Sequence, residues 1–237
     1  MDAKTETLIP AAKLAADNEV RIPGESAEYR AARTALLAEE IELRRHMERV
    51  AAQRRALPPG APVTGDYRFQ TEDGPSDFAG LFGDKETLVI YNYMFGPQRQ
   101  RPCPMCTNVL DAWEGNAVDL AQKLSLVVVA RSPIERLVAW KQQRGWKNLR
   151  LASDLNDAYS RDFRGVLADA SEAGGANVFT RRDRTIRHVW SDELTESTAD
   201  PGQDPRGAAV TCSPLWLVLD SIPEGRGRDW YPSLTYA

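Results

Sequence analysis

Two short runs of branched and aromatic residues punctuate the chain: Leu88-Val89-Ile90-Tyr91-Asn92-Tyr93 and Leu126-Val127-Val128-Val129-Ala130. Each is too short for a typical helix and too apolar for a half-exposed strand, so both read as buried strands. Gly96 and Pro97 end the first. A helical stretch follows from the cysteine pair at 103 and 106 to about residue 123. Ser132-Pro133 reads as an N-cap with proline at the first helical position, opening a helix to about residue 144. Upstream, Ser26 caps a long helix running to about residue 56, without internal Gly or Pro. Leu36, Leu37, Leu43, Met47 and Val50 lie near one face, and Leu57-Pro58-Pro59-Gly60 stops it. Residues 1–25 read as a loosely packed lead-in.

The remaining pattern is weaker. Residues 63–69 read as an edge strand, 77–82 as a short turn or helix, 149–152 as a short strand and 154–163 as a short helix. Residues 177–180 and 185–190 form two strands around a charged turn, Arg182-Asp183-Arg184. Residues 191–209 read as a loop, 213–222 as a helix and 225–237 as an irregular tail. A strand–helix–strand start implies a parallel pair with a right-handed crossover, and the two late strands imply an antiparallel hairpin. The expected architecture is α/β, a mixed sheet flanked by helices. A helical extension occupies residues 1–60 and the sheet domain residues 61–237.

Composition narrows the function classes. The 237 residues carry 30 Lys+Arg against 34 Asp+Glu, a net charge of -4. That balance offers no general attraction for nucleic acid, and acids interleave with the basic pairs of the long helix. No apolar run approaches the ~20 residues of a membrane span, and the polar start resembles no signal peptide. With only three cysteines, the chain is expected in a reducing cytoplasm.

Two of those cysteines form Cys103-Pro104-Met105-Cys106. Between a strand and a helix, this spacing is a dithiol redox signature. The helix N-terminus presents unpaired N–H groups and the positive end of its dipole, which favour a thiolate at Cys103. Cys106, about one turn on, is placed to attack a mixed disulfide at Cys103. Pro104 fits the first turn, where a missing N–H costs nothing. Arg99 and Arg101, just upstream, add positive charge if they face the sulfur. Two other readings stay open. One is a copper or zinc module using Cys103, Cys106 and perhaps His188. The other is a non-catalytic scaffold that pairs with a second copy through the long helix. A closed zinc site needs more ligands than Cys212, His46 and His188 readily supply. Haem attachment needs His at 107, where Thr107 stands.

The stretch LVIYNYMFGPQRQRPCPMCT, residues 88–107, resembles a bacterial family of thioredoxin-like proteins of unknown function. Its members are commonly described as predicted dithiol-disulfide oxidoreductases. Residues 31–58, 132–146, 153–163, 178–190 and 219–228 resemble other family segments in order. The resemblance implies a thioredoxin-like fold and a redox site at Cys103 and Cys106, and does not supply a substrate. The dithiol chemistry itself calls for no cofactor and for a protein or small-molecule thiol or disulfide partner. Two departures stand out. Gly175-Ala176-Asn177 occupies the place where many thioredoxin-fold enzymes carry a cis-proline, and Gln98-Arg99-Gln100-Arg101 replaces acidic residues before the motif. Trp146 reads either as core or rim packing or as lining of the cysteine cleft, His188 either as a hydrogen-bonded structural residue or as a proton shuttle beside the thiols, and Cys212 either as a small buried residue or as a further resolving thiol.

Overall fold

The computed structural model describes residues 8–193, 198–201, 214–223 and 230–236. Cys212, most of the 191–209 loop and part of the tail lie outside the described residues. The chain divides into two compact units at Leu57/Pro58.

In the first unit the lead-in contains a helix that the sequence reading missed. Helix α1 (Ala11–Ala16) lays Ala11, Leu14 and Ala15 against Leu37, Ala38 and Ile41 of α2 (Ala27–Arg55). Small alanines let the helices approach, so the packed stripe is 37/38/41, which shares only Leu37 with the face expected, while Leu36, Leu43 and Met47 are exposed. Ser26 caps α2 as foreseen, its side chain accepting from Tyr29 N at 3.0 Å.

The second unit holds a seven-stranded sheet. Its strands are β1 (Arg68–Thr71), β2 (Gly74–Asp77), β3 (Thr87–Asn92), β4 (Ser125–Ala130), β5 (Arg150–Asp154), β6 (Gly175–Arg182) and β7 (Thr185–Ser191), in spatial order β2-β1-β5-β4-β3-β6-β7. Strands β3, β4 and β5 are parallel, and β6 pairs antiparallel with β3 and with β7. Helix α3 (Pro104–Leu120) links β3 to β4, and α4 (Ile134–Arg144) links β4 to β5. A parallel βαβ unit beside an antiparallel hairpin, with strand order β4-β3-β6-β7, is the thioredoxin-like arrangement. Helix α5 (Ala158–Asp162) precedes the hairpin, and a short helix α6 (Pro214–Leu219) forms where the late apolar run predicts one.

Period-two alternation gives the sheet two unlike faces. Tyr91, Leu126, Val128 and Leu151 pack with α3 and α4. Leu88, Ile90, Val127 and Phe179 pack on the other side, with Phe69, Phe78, Phe82 and Tyr159. Phe179 is fully buried at the centre of that aromatic layer, 4.9 Å from the ring centroids of both Phe78 and Phe163.

Several boundaries differ from expectation. The early strand starts at Arg68, while Val63 only donates its N–H to Ile186 O at 2.9 Å. Strand β2, Gly-Pro-Ser-Asp, has no apolar pattern and exists because a tight turn folds it back on β1. Helix α4 starts one residue late, with Pro133 at the N-cap. Ser132 is instead fully buried and donates to Phe95 O. The β6–β7 turn is as read: Asp183 and Arg184 both have positive φ, the geometry that a two-residue hairpin with the sheet's twist requires.

Candidate redox site

Cys103 occupies the N-cap of α3 with Pro104 at the first helical position. Its backbone N–H donates to Met94 O at 3.1 Å, tying the motif to the end of β3. Thr107 Oγ1 donates to Cys103 O at 2.9 Å, and Tyr93 hydroxyl lies 2.7 Å from Thr107 Oγ1. Since the threonine proton is spent on the carbonyl, the tyrosine is the donor. Cys103 is half-buried and Cys106 buried, and both are free thiols.

The two sulfurs are inequivalent. Cys103 is lowered to about 6, first by the hydrogen bond from Cys106, then by the N–H groups of Cys106 and Met105 and the charge of Arg99, against a burial cost. Cys106 is pushed well above the ordinary thiol range, because it is the donor in that bond and because it is buried. Tyr91, buried on β3 and packed edge-on against Trp113 at 5.3 Å, bonds Cys106 and pulls the other way. The pair therefore shares its first proton on Cys106, leaving Cys103 ionised.

Gly174 closes the site from above. A Cβ there would stand 2.7 Å from Cys106 Sγ and 3.5 Å from both Met94 Sδ and Tyr91 hydroxyl. Its φ is not positive, so space and not backbone conformation demands glycine. This is the approach to β6 where a cis-proline was sought; no cis peptide occurs among the described residues. The preceding loop is anchored by Arg99 Nε, which donates to Glu172 Oε2 at 2.8 Å. It is also stapled by Arg136, whose guanidinium donates to the carbonyls of Gly96, Arg99 and Gln100 and lies 4.1 Å over the Phe95 ring.

Three of the expected supporting residues are placed elsewhere. Of the two upstream arginines, Arg99 carries the charge that Cys103 feels, while Arg101 is exposed and lines a neighbouring cleft. Trp146 packs into the core that also holds Cys106. It is buried, its Nε1 donates to Asp111 Oδ1 at 2.8 Å, and its ring lies 6.3 Å from Tyr93. Gly145, with φ 73°, ends α4 and turns that indole inward. His188 lies across the sheet from the thiols. It pairs with Phe179, so the two side chains share the aromatic face, where the imidazole sits 5.4 Å from Phe179 and 5.8 Å from Phe163. Burial lowers its pKa, and Nε2 is 2.7 Å from Ser191 Oγ. The sheet thus separates it from both sulfurs, which removes the proton shuttle and the third metal ligand. Among the described residues no three His, Cys, Asp or Glu side chains cluster as metal ligands.

Tyr91, Thr107, Glu172 and Gly174 were not singled out from sequence. Tyr91 carried a usable signal, since alternation along β3 puts it on the face that receives α3. Gly174 needed the chain path.

Residues 19–236 match the family model described as "Bacterial protein of unknown function (DUF899)". The chain belongs to this family. No curated protein matches it. Solved structures that share part of its backbone include peroxidoxin BcpB from Mycobacterium tuberculosis, at 21% identity, covering 59% of this chain and 88% of that one, TM-score 0.43. The exposed lipoprotein thioredoxin Etrx1 from Streptococcus pneumoniae is 13% identical, covering 54% and 87%, TM-score 0.39. A peroxiredoxin-like protein from Aquifex aeolicus is 13% identical, covering 57% and 75%, TM-score 0.39. Among the described residues of this DUF899 chain, no helix is long and apolar enough to cross a membrane.

The charge of Arg99 is testable at the sulfur. The rate of Cys103 alkylation by iodoacetamide is expected to rise with pH through a midpoint of about 6. Arg99→Gln removes a cation that favours the thiolate, so the midpoint should move up. A midpoint left in place would show that Arg99 serves only its bond to Glu172.

Proposed function

We propose that this protein is a dithiol-disulfide oxidoreductase, with Cys103 as nucleophile and Cys106 as resolving thiol. The observation that carries the reading is a pair of free thiols at the N-terminus of α3, Cys103 half-buried at the N-cap and Cys106 buried in the first turn, and their opposed ionisation supports it. Cys103 thiolate attacks one sulfur of a substrate R–S–S–R′. A Cys103–S–S–R bond forms, and R′S⁻ leaves and takes a proton from solvent. Cys106 then gives up its proton and attacks Cys103 Sγ. The Cys103–Cys106 bond forms and RS⁻ leaves, taking up that proton. Two electrons pass to the substrate, and the reverse sequence oxidises a dithiol.

Titration against a redox buffer, followed by peptide mapping, tests the reading. One two-electron transition should appear, losing two thiols and two hydrogens, with Cys103 linked to Cys106. A protein that only forms adducts at single cysteines under that buffer would not be such an enzyme.

A further inference from the structure

Beside the thiols, a cleft of about 370 Å³ opens between α4 and the loop before Cys103. Its volume falls in the range of small-molecule sites. Helix α4 contributes Arg136, Ala139, Trp140 and Gln143, spaced i, i+3, i+4, i+7 and therefore on one face. Phe95 and Arg101 come from the loop. The lining thus combines two aromatic rings with two guanidinium groups and includes no Asp or Glu. The charge of Arg136 is met only by neutral partners: three backbone carbonyls and Ser132 Oγ. Neither it nor Arg101 has a carboxylate within salt-bridge distance among the described residues. In a chain of net charge -4, this is a local reversal of sign.

Position gives the reversal a purpose. Arg101 precedes Cys103 by two residues, so their Cα atoms are at most about 7 Å apart. A group seated on Arg101 is then within reach of a bond forming at Cys103 Sγ. Where a small disulfide carries carboxylates, a guanidinium recognises them with two parallel hydrogen bonds.

We propose that this cleft binds the carboxylate-bearing arm of a small disulfide substrate, with Arg101 as the anion contact and Phe95 and Trp140 as the apolar floor. This deepens the dithiol reading and rests on it. The loop carbonyls held by Arg136 fix the cleft before the substrate arrives, so little ordering is needed on binding.

The test compares dithiodiglycolate with bis(2-hydroxyethyl) disulfide, which is similar in size and neutral, in wild type and Arg101→Gln. The ratio of the two kcat/KM values, anionic over neutral, should fall about tenfold in the variant, chiefly through KM, as expected for losing a charged hydrogen bond at a partly exposed site. Arg101→Lys should restore part of it. A ratio unchanged in Arg101→Gln overturns the proposal and leaves the dithiol reading intact. If neither these disulfides nor a protein disulfide is reduced, that reading fails instead, and calorimetry of dithiodiglycolate with the Cys103→Ser protein decides the cleft. Binding that Arg101→Gln abolishes supports it, and absence of binding, or binding indifferent to Arg101, overturns it. Reduction of protein disulfides alone would also count against a small-molecule site.

Discussion

Replacing Cys106 with serine is expected to leave a protein that attacks a disulfide once and stops. The first step needs only the Cys103 thiolate. A serine hydroxyl still donates a hydrogen bond to that sulfur, so the alkylation midpoint should stay well below the ordinary thiol range. The second step needs a sulfur at 106, and serine cannot displace RS⁻ from a mixed disulfide. Turnover should fall by about three orders of magnitude or more, the effect seen when a group acting in the covalent step is removed. Intact-mass spectrometry should show one substrate half per chain, released by added thiol. Cys106→Ala separates the two roles. It blocks resolution as serine does, but it also removes the bond that is the largest cause of the lowered Cys103 pKa, so its alkylation midpoint should rise. If Cys106→Ser kept turning over, another thiol would be resolving the intermediate and the assignment of Cys106 would fall.

Phe179→Ala is expected to cost about 3–5 kcal/mol, the range for deleting a buried aromatic side chain. Phe179 is fully buried, and its ring meets Phe78, Phe163 and His188 edge-on and Tyr159 at 6.4 Å. No single neighbour can collapse into the space without breaking its own contacts. Against a typical stability of roughly 5–15 kcal/mol, the loss is large. It should lower the thermal midpoint by on the order of 10 °C for a domain of this size. Phe179→Leu retains part of the volume and should lose less. Because the aromatic layer lies across the sheet from the sulfurs, the alkylation midpoint of Cys103 should be the same in every variant that remains folded. Equal urea midpoints for wild type and Phe179→Ala would contradict the packing described.

The parts of the fold legible in sequence were those where one local rule decides. The apolar runs of β3 and β4 have no other stable destination than a buried sheet, and the strand-to-helix placement of the cysteines followed from them. The weak elements depended on partners. Strand β2 has no pattern of its own, and α1 is held by alanines that match facing residues of α2. For the site, Cys103, Cys106 and Pro104 were readable because spacing along a helix fixes them. The choice between a structural and a proton-shuttling His188 was not legible because its face depends on pairing with Phe179, which involves a register shift at Val178/Phe179. The choice between a core and a cleft-lining Trp146 was not legible because its direction is set by the left-handed turn at Gly145 and by an acid on another helix, Asp111. Gly174 escaped because its partner sulfur is 68 positions away.

The borders of the sheet carry one more consequence. Strand β2 presents Pro75, which has no N–H to offer a newcomer. At the opposite border, β7 is covered by the chain at 60–63: Val63 N–H donates to Ile186 O, His188 N–H donates to Ala61 O at 3.2 Å, and Arg187 reaches Gly60 O at 2.9 Å. Among the described residues, neither margin therefore offers an uninterrupted row of free backbone donors on which an eighth ribbon could zip.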